Sequence, residues 1–241
     1  MPWRPWAPRT VSVPEPDEAG SIDGLAYVLY RPDGGCAGGV VVCHGAGSAK
    51  ESHLDFARAC RAHGLACAVF DQRGHGNTGG RLDDRVVSDV ARIASVLPAG
   101  PVGLRGSSLG GWLVLAAAES VDAAAVVAIC PATGEGLRRG LRSGRLDVPV
   151  DVDAVDGAIG AHDTTAAAAA LGERLLLLHA EGDEVVPVEH SRALHAAAPG
   201  SRYVEVPGGH HRSVQHDNDL QAVSLRFLTR RLAGATAGPA R

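Results

Sequence analysis

Residues Leu104–Trp112 read LRGSSLGGW, two serines boxed in by three glycines directly after a short apolar run. Glycine is needed where the backbone takes φ > 0 or where another segment comes too close for a Cβ. That accounts for Gly106, Gly110 and Gly111 and leaves the serines to explain. Gly106-Ser107-Ser108-Leu109-Gly110 fits G-x-S-x-G, in which the central serine sits on a sharp strand-to-helix turn with its hydroxyl pushed out of the sheet. On that reading Ser108 is a candidate nucleophile and Ser107 a small residue beside it; the plain alternative is a flexible turn.

Working outward from this stretch, apolar runs and helical patterns alternate, which predicts a mainly parallel sheet covered by helices on both faces. The expected strands are Val40–Cys43, Leu65–Phe70, Val102–Leu104, Ala123–Ile129, Leu175–Leu178 and Tyr203–Val206. Two earlier ones, Thr10–Val13 and Leu25–Tyr30, have no helix between them and are expected to form an antiparallel edge. Helices are expected over His53–His63, Asp84–Leu97, Trp112–Glu119, Val188–Ala198 and Leu220–Leu232. Between Pro131 and Gly172 the pattern loosens into an alanine-rich stretch, a candidate lid inserted into one domain spanning 1–241.

Composition narrows the partners. With 45% hydrophobic and 21% charged residues the chain has globular rather than disordered character. A net charge of −4 supplies no broad basic field, so nucleic acid is not an expected partner. No run approaches the ~18 apolar residues of a membrane span, and MPWRPWAPRT is too rich in proline for a signal peptide. Five cysteines without a CxxC pair, several inside apolar runs, point to a reducing compartment. The expectation is a cytoplasmic protein with a small-molecule partner and no membrane partner.

A nucleophilic serine needs a base, an orienting acid and a place for an oxyanion. After the strand Leu175–Leu178 the chain reads HAEGDEVVP, where Asp183 is the leading acid, with an ordinary helix cap as its alternative. Glu181 and Glu184 beside it are expected to be solvated. After the next strand, VPGGHHRS offers His210 and His211. The loop Cys43-His44-Gly45-Ala46-Gly47 lets backbone approach a reacting carbonyl, so that the N–H groups of Ala46 and Leu109 form a candidate oxyanion hole. His44 is expected to support that loop, and Asp71 and His75 to brace the DQRGHG turn. The histidines lack the paired spacing of a zinc helix, so neither a metal nor another cofactor is expected.

Taken together, VVVCHGAG, DQRGHGNTGG, GSSLGG, EGDEVVP and PGGHH occur in an order that resembles the α/β-hydrolase superfamily over nearly the whole chain. The resemblance implies an eight-stranded, mostly parallel sheet, a Ser-Asp-His triad at its carboxyl edge and a lid after the sixth strand. In the resembling proteins the base lies four positions after the proline of the last strand, which implies His211, while His210 stands where a small or acidic residue is usual. Ser108, Asp183 and His211 are thereby the implied triad. The expected activity is a serine hydrolase cleaving a small soluble ester, thioester or related acyl compound through an acyl-enzyme. An acyltransferase or perhydrolase using the same serine, and a ligand-binding protein on a hydrolase scaffold, are the alternatives.

Overall fold

A computed structural model describes residues 13–145 and 148–236. Eight strands form one sheet: β1 Glu18–Ile22, β2 Leu25–Tyr30, β3 Gly39–Cys43, β4 Ala66–Phe70, β5 Val102–Ser107, β6 Ala125–Ile129, β7 Leu175–Ala180 and β8 Arg202–Val206. Their spatial order is β1-β2-β4-β3-β5-β6-β7-β8, antiparallel at β1–β2–β4 and parallel from β4 onward. The continuous apolar runs read from the sequence are therefore strands buried on both faces. Along β3, Val41 and Cys43 enter one core cluster and Val40 and Val42 the other, the two-residue alternation of a pleated strand.

One face carries α1 Leu54–Ala62 and α9 Asn218–Thr236, the other α2 Val86–Ala94, α3 Leu109–Ala116 and α7 Val188–Ala197. Amphipathic spacing drives this, as in α2, where Val86, Val90 and Ile93 are buried on one stripe. The order reverses between β4, β3 and β5, and at such a switch point the loops leaving the strands diverge and open a crevice at their carboxyl ends. Among the described residues no helix is long and apolar enough to cross a membrane. All five cysteines are free thiols.

Two regions add detail to the expectation. Of the expected strand Thr10–Val13, residues 10–12 lie outside the described residues and Val13 is exposed and irregular, while the edge strand of the described sheet is Glu18–Ile22. The reason is the turn Asp23-Gly24, with φ of 51° and 81°, a two-residue hairpin that fixes β1 directly before β2. The loose stretch after β6 contains α4 Gly134–Arg142, α5 Val152–Ala161 and α6 Thr164–Leu171. Their starts are set by side-chain caps: Thr133, Asp151 and Asp163 each accept a hydrogen bond from a backbone N–H in the first turn. Val155, Ile159, Ala168 and Leu171 join the core, so α5 and α6 are part of the helical layer.

Lys50 and Asp71 tie the loop after β3 to the loop after β4. Lys50 Nζ donates to Asp71 Oδ2 and to Asn77 Oδ1, both at 2.7 Å, and the Lys50 and Asn77 N–H groups donate to the same carboxylate at 2.8 Å. Burial would raise the Asp71 carboxyl, but these hydrogen bonds outweigh it and hold it below the usual carboxylate range. Asp71→Asn removes the buried carboxylate of a mostly buried ammonium, leaving only the exposed Glu51 to pair with it, and is expected to destabilise the fold by about 3 kcal/mol, measured by urea unfolding. A depressed folded value also means that this stability is present above the unfolded value of about pH 4 and is lost as pH falls through the lower folded one. Thermal melts should therefore hold near neutrality and drop on the acid side, with a smaller acid dependence in Asp71→Asn.

Candidate active site

β5 ends at Ser107 and α3 begins at Leu109, so the whole reversal is carried by Ser108, at φ 55° and ψ −117°. That conformation costs a side-chain-bearing residue about 1–3 kcal/mol and persists only where the surroundings enforce it. They do so from β6: Ser108 N–H donates to Ile129 O at 2.9 Å, and Ser108 O accepts from Trp112 N and Ala132 N at 3.0 Å. The flanking glycines permit close approach, since a Cβ on Gly106 would lie 2.1 Å from Gly110 O and one on Gly110 would lie 2.1 Å from Cys43 O. Strand, helix and the loop after β3 thus touch backbone to backbone.

Asp183 follows β7 and His211 follows β8, neighbouring strands whose loops are joined by Gly182 N–H donating to Gly208 O at 3.1 Å. His211 Nδ1–H donates to Asp183 Oδ2 at 2.7 Å, and the side chains are 11% and 0% exposed. Asp183 Oδ1 accepts from Val185 N and Val186 N, both at 2.8 Å. Burial would raise the Asp183 carboxyl, yet hydrogen bonds from His179, His211 and the two amides outweigh it and hold it far below the usual range. A permanently ionised acid fixes the proton on His211 Nδ1 and leaves Nε2 as acceptor. Helix α7 takes Pro187 as its cap, so Asp183 is not that cap.

The two adjacent histidines part company. His210 is exposed; its N–H donates to Ser213 Oγ at 3.0 Å and its Nδ1 accepts from Arg212 N at 3.3 Å, away from Asp183. Ser108, His211 and Ala46 line one cavity of about 910 Å³. No hydrogen bond joins Ser108 to His211 among the described residues. The N–H groups of Ala46 and Leu109 donate to no protein acceptor among the described residues, and Leu109 N–H is the first of a helix. Glu184, expected to be merely solvated, is exposed but also accepts the His211 N–H at 3.2 Å.

The supporting residues behave as struts. His44 is fully buried; Nδ1–H donates to Gly45 O at 2.8 Å, Nε2 accepts from Gln72 N at 3.1 Å, and burial pushes it down to about 4, so it stays neutral. His75 Nε2 accepts from Gly47 N at 3.3 Å, while Asp71 is occupied by Lys50, so these two brace the loops separately rather than as a pair.

Several residues were not singled out by sequence reasoning. His179, fully buried, donates from Nε2 to Val186 O at 3.0 Å and lies 3.2 Å from Asp183 Oδ2, while Ser191 Oγ donates to its Nδ1 at 2.7 Å. Cys130 brings its sulfur within 4.8 Å of ligand atoms of His179 and Asp183. Burial raises that thiol, and both His179 nitrogens are already committed, so the cluster suits support of the acid rather than metal ligation. Arg105, 1% exposed, lays its guanidinium 4.1 Å from the Phe56 ring centre and donates from Nη2 to Gln215 O at 3.0 Å. Gln215 Oε1 accepts from Ser107 Oγ, which links the serine turn to α8 Ser213–His216 behind His211. The one advance signal was a histidine closing the apolar run LLLLH.

Comparison with known proteins gives a consistent result. The model of the serine aminopeptidase S33 family matches residues 36–145. The uncharacterized protein Rv2307c of Mycobacterium tuberculosis is 27% identical over 224 residues, covering 84% of this chain and 74% of its own length. Est1E from Butyrivibrio proteoclasticus superposes with a TM-score of 0.66 at 19% identity, over 92% of this chain and all of its own. The enol-lactonase from Burkholderia xenovorans LB400 gives 0.67 at 19%, over 88% of this chain and 100% of its own. GrgF from Penicillium sp. sh18 gives 0.69 at 19%, over 87% and 94%. At such identities the structures speak for the fold, and the matched segment carries both the loop after β3 and the serine turn. With its eight-stranded sheet, its switch point and these structural neighbours, the chain has the α/β-hydrolase fold, and its residues 36–145 are similar to the serine aminopeptidase S33 family.

Proposed function

We propose that the protein is a serine hydrolase acting on a small acyl compound, an ester or thioester, through a covalent acyl-enzyme. The observation that carries this is the hydrogen-bonded Asp183–His211 pair, whose histidine lines one cavity with a serine held at positive φ. Ser108 Oγ attacks the acyl carbon while His211 Nε2 takes its proton. Asp183 stabilises the imidazolium so formed, and the N–H groups of Ala46 and Leu109 receive the negative charge of the tetrahedral oxygen. His211 then protonates the leaving group, and a water activated by the same nitrogen releases the acid and restores Ser108. The chemistry is complete with these groups and calls on no metal.

A fluorophosphonate probe tests the proposal, because only an activated serine attacks such phosphorus at neutral pH. The expected result is a single adduct, mapped by peptide mass spectrometry to Ser108 and insensitive to EDTA. An adduct on Ser107, or no adduct, would refute it.

A further inference from the structure

The charged side chains lining the cavity are unusual for a protein of net charge −4. Arg145 and Arg212 line it, together with three histidines, and among the described residues no aspartate or glutamate does. Most arginines outside the cavity are spent on partners: Arg73 on Asp89, Arg138 and Arg142 on Asp156, Arg192 on Glu205. Among the described residues, neither the Arg145 nor the Arg212 guanidinium has a hydrogen bond or an ion pair. Both are exposed, Arg212 directly after His211 and Arg145 on the segment after α4.

Two cations with no partner among the described residues, facing one cavity from separate segments, make a positive local field that walls of low dielectric concentrate. No described residue of the lining neutralises them. Val148, Val185, Ala46 and Ala49 supply the apolar share of the wall, enough for a short hydrocarbon spacer. The guanidinium fork matches a carboxylate in bidentate geometry.

We propose that the substrate of this site is an acyl compound carrying a carboxylate away from the reacting carbonyl, held by Arg145 and Arg212. This rests on the reading of Ser108 as nucleophile and specifies its substrate class. The arginines bind and orient, while the bond-making groups remain those already described. An exposed charge pair changes binding by up to about fivefold, so two acting together should give a preference of about tenfold.

The experiment compares kcat/KM for charged and neutral esters of matched size. p-Nitrophenyl hemiglutarate against p-nitrophenyl butyrate places the charge on the acyl side. The acetate ester of 4-hydroxybenzoate against that of methyl 4-hydroxybenzoate places it on the leaving side. The expected result is a preference of about tenfold for the charged member of at least one pair. It should shrink in 0.5 M salt, fall about tenfold in Arg145→Gln/Arg212→Gln, and return in the double lysine variant. A neutral ester preferred in both pairs, or a selectivity ratio unmoved by the glutamine variants, overturns the proposal. Calorimetry with glutarate separates the two layers. Binding that is lost in the double glutamine variant, with no ester turned over, upholds the anion site and removes the serine mechanism. Turnover of neutral esters that depends on Ser108, with no binding of glutarate, does the reverse.

Discussion

Ser108→Ala is expected to lower ester hydrolysis by about 10⁴-fold or more, leaving the residue of rate that an oxyanion hole and binding provide without a nucleophile. The measurement is single-turnover release of p-nitrophenol, and a variant within tenfold of the parent would sink the mechanism. The same position carries a second, opposite effect. Because Ser108 sits at φ 55°, Ser108→Gly removes the steric cost of its Cβ and should raise stability by about 1 kcal/mol while abolishing turnover. A gain in melting temperature with a loss of activity would show that strain is maintained at this turn for function.

The next largest effect separates two neighbouring residues. His211→Ala is expected to cost nearly as much as Ser108→Ala, since a base and its nucleophile act as a unit. His210→Ala should stay within about tenfold, because its contacts are to Ser213 and to the Arg212 N–H, not to Asp183. Paired kinetics on the two variants decide the matter. A dead His210→Ala beside an active His211→Ala would move the base by one position and overturn the pairing seen with Asp183.

What the sequence reveals follows from how local each signal is. Ser108, Asp183 and His211 could be read as candidates because each lies in the turn or loop after a strand, and parallel strands bring their carboxyl ends to one edge. Alternation of apolar runs gave the sheet for the same reason. The Asp23-Gly24 hairpin was also local, but Thr10–Val13 offered a more apolar pattern than the small, exposed EAGSI that became β1. In α6, TTAAAAAL has almost no contrast between faces, so periodicity was silent, although Asp163 was available as its cap. His179, Cys130, Arg105 and the Lys50–Asp71 pair were illegible for a different reason. Their meaning lies in partners brought near by folding, 110 residues apart for Arg105 and Gln215 and 21 for Lys50 and Asp71.

That last pair has a consequence for protein chemistry. Lys50 is the sole lysine in the chain, against 22 arginines, and its ammonium is clasped by Asp71, Glu51 and Asn77. Those contacts raise its proton affinity despite burial, so the neutral amine that acylating reagents require is scarce in the native protein. N-hydroxysuccinimide esters therefore meet no readily acylated lysine until the loops after β3 and β4 come apart. Lysine modification becomes a one-residue reporter of their separation, read by mass in the presence of increasing denaturant.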